Sequence, residues 1–371
     1  MLLLIFIAIL FFIYAILVLY YGWQFQQLPA RENKTVASSE KFSIVIPARN
    51  EAANLSSLLQ ALEGQDYPGD QYEIIVVDDH SSDETMAVAA RFPRVRCLQA
   101  GEAKGNAYKK QAIEDGVRAS NFDWIIGTDA DCVPGPRWLR SFAMLIQEKK
   151  PVFIAAPVQF NSNTTVLGIF QEMDFMILQS ITAVVVTKEQ MSMCNGANIA
   201  YKKQIFFEVG GFDGIDHLAS GDDMLLMFKI WKKYPGAVSY LKQKAAIVKT
   251  KAPENWKAFF QQRIRWASKA GHYQDKRILP VLLLVYTFNL CFPVLLAASF
   301  MNSYYWKYLF GLWLAKTLVE WPLFLGAAKF FQRRSLVPLF FFFQPLHIMY
   351  TLISGFLGQA GEYEWKGRRV S

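Results

Sequence analysis

The run DWIIGTDAD, residues 123–131, decides the fold. Its first half is a short block of Trp and Ile, the composition of a strand buried on both faces. Its second half turns abruptly acidic, at Asp129 and Asp131. EIIVVDD, residues 73–79, has the same design and ends in Asp78 and Asp79. A third β-rich block, FSIVIP at 42–47, precedes both, and Val95–Leu98 supplies a fourth. Helices are expected between them, over Ala52–Leu62, Asp83–Arg91 and Ala107–Ala119. In the first of these, Leu55, Leu58, Leu59 and Leu62 recur at helical spacing. Alternating strand and helix predict a parallel sheet with helices on both faces. Right-handed crossovers then gather the strand C-termini at one edge, where such sheets bind ligands. Both acidic clusters fall at that edge.

The edge carries no phosphate loop. No G-x-G-x-x-G follows either strand, which disfavours a dinucleotide site, and no G-x-x-x-x-G-K-[ST] occurs. Carboxylates at a strand end instead suit a divalent cation, Mg2+ or Mn2+, that bridges to phosphates. Side chains two apart on extended backbone point the same way, so Asp129 and Asp131 can act together.

The 371 residues are 53% hydrophobic and 19% charged, which excludes a disordered chain and sits poorly with a purely soluble one. The four cysteines form no C-x-x-C pair, so neither a disulfide framework nor a zinc cluster is expected. The hydrophobicity lies at the ends. Leu2–Tyr20 is free of charge and reads as an uncleaved membrane anchor. Ile278–Trp306, Tyr308–Ala328 and Ser335–Gly361 follow in the C-terminal third. Only Lys316 and Glu320 interrupt them; at i,i+4 these two can pair.

The expected organisation is an anchor at 1–23, a cytosolic α/β catalytic domain at 24–277, a membrane region at 278–361 and a basic tail at 362–371. The positive-inside rule places Lys329, Arg333 and Arg334 in the cytoplasm, and the central domain with them. A spanning third stretch would then carry the basic tail outside. Pro338 and Pro345 interrupt that stretch, so a re-entrant or interfacial segment is expected.

The chain's net charge is +8, and residues 240–277 alone hold ten Lys and Arg against two acids, an excess of the same size. Its position before the first C-terminal apolar stretch favours a membrane surface over nucleic acid as the partner.

The motifs form an ordered set. SIVIPARNEAANL (43–55), IIVVDDHSSDET (74–85) and IIGTDADCVPGPRWL (125–139) resemble the nucleotide-binding half of glycosyltransferase family 2. NGANIAYKKQIFFEVGGFD (195–213) resembles that family's acceptor-side loop and helix, SGDDMLL (220–226) its catalytic-base motif, and QQRIRW (261–266) its QxxRW motif. The resemblance implies a GT-A fold, a Rossmann-like nucleotide-diphospho-sugar transferase architecture, joined to N- and C-terminal transmembrane helices. It implies that Glu51 and Asp79 contact the nucleoside of a nucleotide-sugar donor, and that Lys104 approaches the diphosphate. Asp129 would bind the ribose and Asp131 a divalent metal. Asp223 would be the general base, with Asp222 beside it. Gln262, Arg265 and Trp266 would complete the donor and acceptor sites. The family often has Tyr where Arg49 stands, and more often Glu where Asp222 stands.

The expected reaction is inverting transfer from a nucleotide sugar, UDP-linked by expectation, with the enzyme integral to a bacterial-type cytoplasmic membrane. Two acceptors compete. A membrane lipid acceptor, as in ceramide glucosyltransferase-like enzymes, suits the few membrane segments. Processive polymer synthesis of the cellulose or hyaluronan synthase type needs a channel of helices. An inactive nucleotide-binding scaffold is the third reading, disfavoured because the base and both Asp of D-x-D are present.

Overall fold

The computed structural model describes residues 1–29, 40–103, 107–162, 164–216, 218, 221–268, 274–358, 363–365 and 368–370. Contacts divide the chain into two units. One comprises residues 29–161 with 185–251; the other comprises 1–28, 162–184 and 252–371.

The first unit is built on the predicted strands. β1 (Phe42–Ala48), β2 (Tyr72–Asp78), β3 (Val95–Gln99) and β4 (Trp124–Gly127) lie in the order β3-β2-β1-β4, all parallel. Val45 of β1 stands opposite Ile75 on one side and Gly127 on the other. The sheet extends beyond β4 through β8 (Ile199–Lys202), β6 (Phe153–Ala155) and β9 (Val238–Tyr240). β8 runs antiparallel to both of its neighbours, so the sheet is mixed rather than wholly parallel. A second sheet, in the order β5-β10-β7, joins Val133–Pro134 (β5), Val248–Lys251 (β10) and Val158–Asn161 (β7).

The helices follow the apolar pattern. α2 (Ala52–Glu63) buries Leu55, Leu58, Leu59 and Leu62 completely. The helix expected at Asp83–Arg91 is only α3 (Thr85–Ala89), because Asp83 spends its carboxylate on the backbone amides of Ala52 and Thr85. α4 (Tyr108–Ala119) presses Gly116 onto β1; a Cβ there would lie 2.4 Å from Val45 Cγ1. α5 (Trp138–Lys149) precedes β6. Within the outer strands' connections, α7 (Lys203–Glu208) follows β8 and α8 (Asp222–Lys233) precedes β9. The chain reverses direction around β1, whose neighbours are β2 and β4. That is the topological switch at which open α/β sheets leave a crevice.

The second unit is helical. It holds α1 (Leu2–Gln27), residues 166–184 of α6 (Val166–Thr187), α9 (Trp256–Ser268), α10 (Ile278–Met301), α11 (Trp306–Phe330) and α12 (Phe340–Leu357), with a short hairpin of β11 (Tyr363–Trp365) and β12 (Arg368–Val370). Residues 162–184 and 252–277, which the sequence reading placed in the catalytic domain, group here with the terminal helices. Among the described residues, five helical stretches are long and apolar enough to cross a membrane: α1, α6, α10, 303–330 and 334–357. α6 was not expected among them. Pro338 falls in a short 3-10 turn, whereas α12 runs on through Pro345 instead of breaking there.

The Lys316–Glu320 pair expected on α11 is present, at 2.6 Å and buried. Gln344 of α12 bridges both members, at 2.5 Å from each, and the Tyr14 hydroxyl of α1 donates to Glu320. In an apolar surrounding these groups have no alternative partner in solvent, so the network ties three helices together.

Candidate functional site

β4 delivers Thr128, Asp129 and Asp131 to the carboxyl edge of the sheet. Asp131 is held there by the Thr250 hydroxyl of β10, which donates to Oδ2 at 3.1 Å. Burial raises the Asp131 pKa above the ordinary carboxylate value, and the charges of Asp129 and Glu51 raise it further; the Thr250 bond offsets part of this. Glu51 caps α2 and takes a bond from Asn54 Nδ2 at 2.7 Å. Asp79, at the end of β2, is buried and paired with Arg49, whose guanidinium lies 3.8 Å from the Asp79 carboxylate and donates to its carbonyl at 2.6 Å.

The second acidic motif comes from α8. Gly221 takes a left-handed φ of +80° just before the helix, and Asp222 and Asp223 occupy its first turn. Acids at a helix N-terminus are favoured by its partial positive charge, so the placement alone does not make them catalytic. Their partners are more telling. Asp223 accepts the Gly196 amide at 2.8 Å on Oδ2 and the Met224 amide at 2.7 Å on Oδ1. A Cβ on Gly196 would meet Asp222 Oδ2 at 3.3 Å and Asp223 Cβ at 3.4 Å, so this close approach favours glycine.

Lys109 joins the two motifs. Its ammonium lies 2.8 Å from Asp129 Oδ1 and 3.3 Å from Asp222 Oδ2. Burial would lower its pKa, but the two carboxylates outweigh that and hold it well above the ordinary lysine value. Around this lysine lies a small pocket lined by Pro47, Thr128, Asp129, Gly196 and Asp222. The buried Thr128 hydroxyl has no hydrogen-bond partner in it.

Lys104, the basic residue singled out from the sequence, lies outside the described residues. Lys109 was missed because GEAKGNAYKK offers several lysines in a row. The signal that distinguishes it is position: it sits in the first turn of α4, whose N-terminus faces the strand edge.

The unit therefore brings together Glu51, Asp129, Asp131, Asp222 and Lys109, with Asp79 at the neighbouring strand end and Asp223 beside Asp222. Gln262, Arg265 and Trp266 belong to the other unit, on α9. There the Gln262 Oε1 is buried without a partner, and the Trp266 ring lies 6.0 Å from that of Phe175.

The donor set at the sheet edge fits a divalent cation that a ligand helps to hold. Among the described residues no group of three or more His, Cys, Asp and Glu is arranged to bind a metal by itself. Hard cations such as Mg2+ bind through one or two carboxylates plus phosphates and waters. Asp131 would supply such a carboxylate: burial first, and then the charges of Asp129 and Glu51, raise its pKa, and a cation would relieve both.

Residues 43–210 match the family described as Glycosyl transferase family 2. Among curated proteins, the probable glycosyltransferase YdaM of Bacillus subtilis is 26% identical over 240 residues, covering 61% of this chain and 54% of that protein. A dolichyl N-acetyl-alpha-D-glucosaminyl phosphate 3-beta-D-2,3-diacetamido-2,3-dideoxy-beta-D-glucuronosyltransferase of Methanococcus voltae is 30% identical over 101 residues, covering 27% of this chain and 32% of that protein. The chain thus spans between a third and about half of the length of these relatives. Among solved structures, the mannosyltransferase PcManGT from Pyrobaculum calidifontis, in complex with GDP-Man and Mn2+, superposes with a TM-score of 0.62. It is 17% identical, and the match covers 95% of this chain and 98% of that one, which establishes the shared fold. On that agreement, residues 43–210 are similar in sequence to glycosyltransferase family 2, and the chain has the GT-A fold.

Proposed function

We propose that this chain is a membrane-bound inverting glycosyltransferase that moves a sugar from a nucleotide-sugar donor, UDP-linked, to a membrane lipid. The observation that carries this reading is Lys109, which holds the D-x-D acid Asp129 and the helix acid Asp222 within one ion-pair network at the sheet's carboxyl edge. Donor and acceptor chemistry would then meet across a few ångströms.

Glu51 and Asp79 border the nucleoside, with Arg49 in place of the family's Tyr. Asp129 takes the ribose, and Lys109 faces the diphosphate. Asp131 would hold Mg2+ or Mn2+, whose charge offsets that of the leaving group. Asp223 is the general base. The amides of Gly196 and Met224 fix both of its oxygens, and each oxygen keeps a further lone pair for an acceptor hydroxyl. It takes the hydroxyl proton as the acceptor oxygen attacks the anomeric carbon opposite the diphosphate. The carbon–oxygen bond to the diphosphate breaks as the new glycosidic bond forms, so one displacement inverts the centre. Asp222 orients Lys109. Gln262, Arg265 and Trp266 act on the diphosphate and the acceptor sugar or headgroup.

The lipid acceptor is favoured because, among the described residues, five helices are long and apolar enough to span, few for a channel that passes a hydrated polymer. Relatives of both kinds exist, polysaccharide synthases and transferases named for lipid-linked sugars. Lys329, Arg333 and Arg334 favour a cytosolic catalytic domain.

The test is purified full-length protein in nanodiscs with a panel of nucleotide sugars, followed by released nucleoside diphosphate and extraction of the labelled product. Label in the organic phase is expected; label in a size-resolved polymer overturns the lipid reading. Asp223→Asn should lose transfer by about a thousandfold or more while nucleotide affinity stays within about twofold. Wild-type turnover by that variant would sink the assignment of the base.

A further inference from the structure

Arg263 sits inside the QxxRW stretch, at the position after Gln262, and it is buried to 4% exposure. A buried guanidinium needs a counter-charge, and Asp174 of α6 provides it. The Asp174 Oδ2 lies 2.8 Å from Arg263 Nη2, in a contact that is close but not aligned as a hydrogen bond. The other oxygen of Asp174 accepts the Tyr350 hydroxyl of α12 at 2.6 Å, and His347 of α12 stands 3.8 Å from it.

The guanidinium also lies among rings. Its carbon is 4.3 Å from the Trp266 centroid, 5.2 Å from Phe259 and 5.7 Å from Tyr350. Arg263 and Trp266 are three apart on α9, so the cation lies beneath the ring of its own helix's next turn. Phe175, one residue after Asp174, approaches the same Trp ring. Two neighbours on α6 thus address the Arg263–Trp266 pair, one by charge and one by ring contact.

A buried ion pair is weak evidence of stability, because apolar residues of like volume often serve as well. What it supplies that they cannot is a fixed direction. We propose that Asp174 and Arg263 are positioning residues, which set the plane and height of Trp266 and so the working face of α9 for sugar transfer. The proposal rests on the functional reading given above for Gln262, Arg265 and Trp266.

The experiment uses the full chain in nanodiscs and two independent readouts. The first is hydrogen exchange over residues 256–268. In Asp174→Asn, amide exchange in α9 should accelerate about tenfold or more; unchanged exchange overturns the proposal, whether or not turnover is seen. The second is a double-mutant cycle on kcat and on acceptor KM. Asp174→Asn and Trp266→Ala should each lower kcat about tenfold or more, and the double variant should be no worse than Trp266→Ala alone. Losses that multiply would show that Asp174 acts elsewhere and overturn the proposal. Wild-type turnover by Trp266→Ala instead overturns the functional reading of the motif. Arg263→Lys keeps the charge but not the plane, and guards against variants that fail to fold. It should retain the wild-type melting temperature and lose kcat about fivefold or more; full activity would overturn the role given to the planar guanidinium.

Discussion

Lys109 concentrates the electrostatics of the sheet edge on one atom. In Lys109→Met, Asp129 and Asp222 lose a shared counter-ion, so donor affinity should fall about tenfold, measured by titration calorimetry with a nucleoside diphosphate. Asp131 makes a complementary case. Its folded pKa is raised, so the folded state binds more protons than the unfolded one. That contribution to stability is complete below the ordinary carboxylate value and is lost as pH rises through the raised value. Above that raised value the metal-free protein therefore carries a charge that opposes folding. Asp131→Asn should stabilise it by about 1 kcal/mol in thermal or denaturant melts while abolishing metal-dependent transfer. A destabilised Asp131→Asn would contradict the assignment. At this scale the D-x-D pair was legible because it ends a strand of unmistakable composition. Lys109 was not, because choosing among clustered lysines needs the first turn of α4, which sequence leaves uncertain by a residue or two.

Elements show where tertiary contacts override local pattern. The first four strands and α2 could be read directly, since short unbroken runs of Ile and Val, and Leu at period 3.6, leave little choice. α6 could not. Gln171, Glu172 and Asp174 interrupt its apolar run, and each has a partner distant in the chain: the Pro253 carbonyl, Arg333, and Arg263 with Tyr350. No window of sequence contains those partners. α4 offers a quantitative test of packing. Gly116→Ala drives a Cβ into Val45 at 2.4 Å, against a strand hydrogen-bonded on both sides. The expected cost is about 1–3 kcal/mol of stability by urea melts, with nucleotide affinity falling in step with the folded fraction.

At the scale of the whole molecule, the helical unit stands out for its charged interior. Lys316→Met would leave Glu320 buried with only Tyr14 and Gln344, and should cost about 3–5 kcal/mol; replacing Glu320 by Gln in the same chain should recover much of that. Thermal melts of the two variants in one nanodisc preparation check the ordering. Recovery would show that the stranded charge, and not lost packing, sets the penalty.

The division of the chain also fixes an order of manufacture. The helical unit is assembled from three stretches separated by the two pieces of the sheet unit. Glu172 and Asp174 leave the ribosome some 90 residues before Arg263 and 160 before Arg333, the cations that neutralise them. During that interval α6 is an apolar segment bearing two uncompensated acids, too charged to rest comfortably in lipid and too greasy for water. Its safe passage depends on the speed with which the last third of the chain is made. Slow codons or arrest between Asp174 and Arg333 would therefore expose the protein to quality control before its chemistry is ever tested.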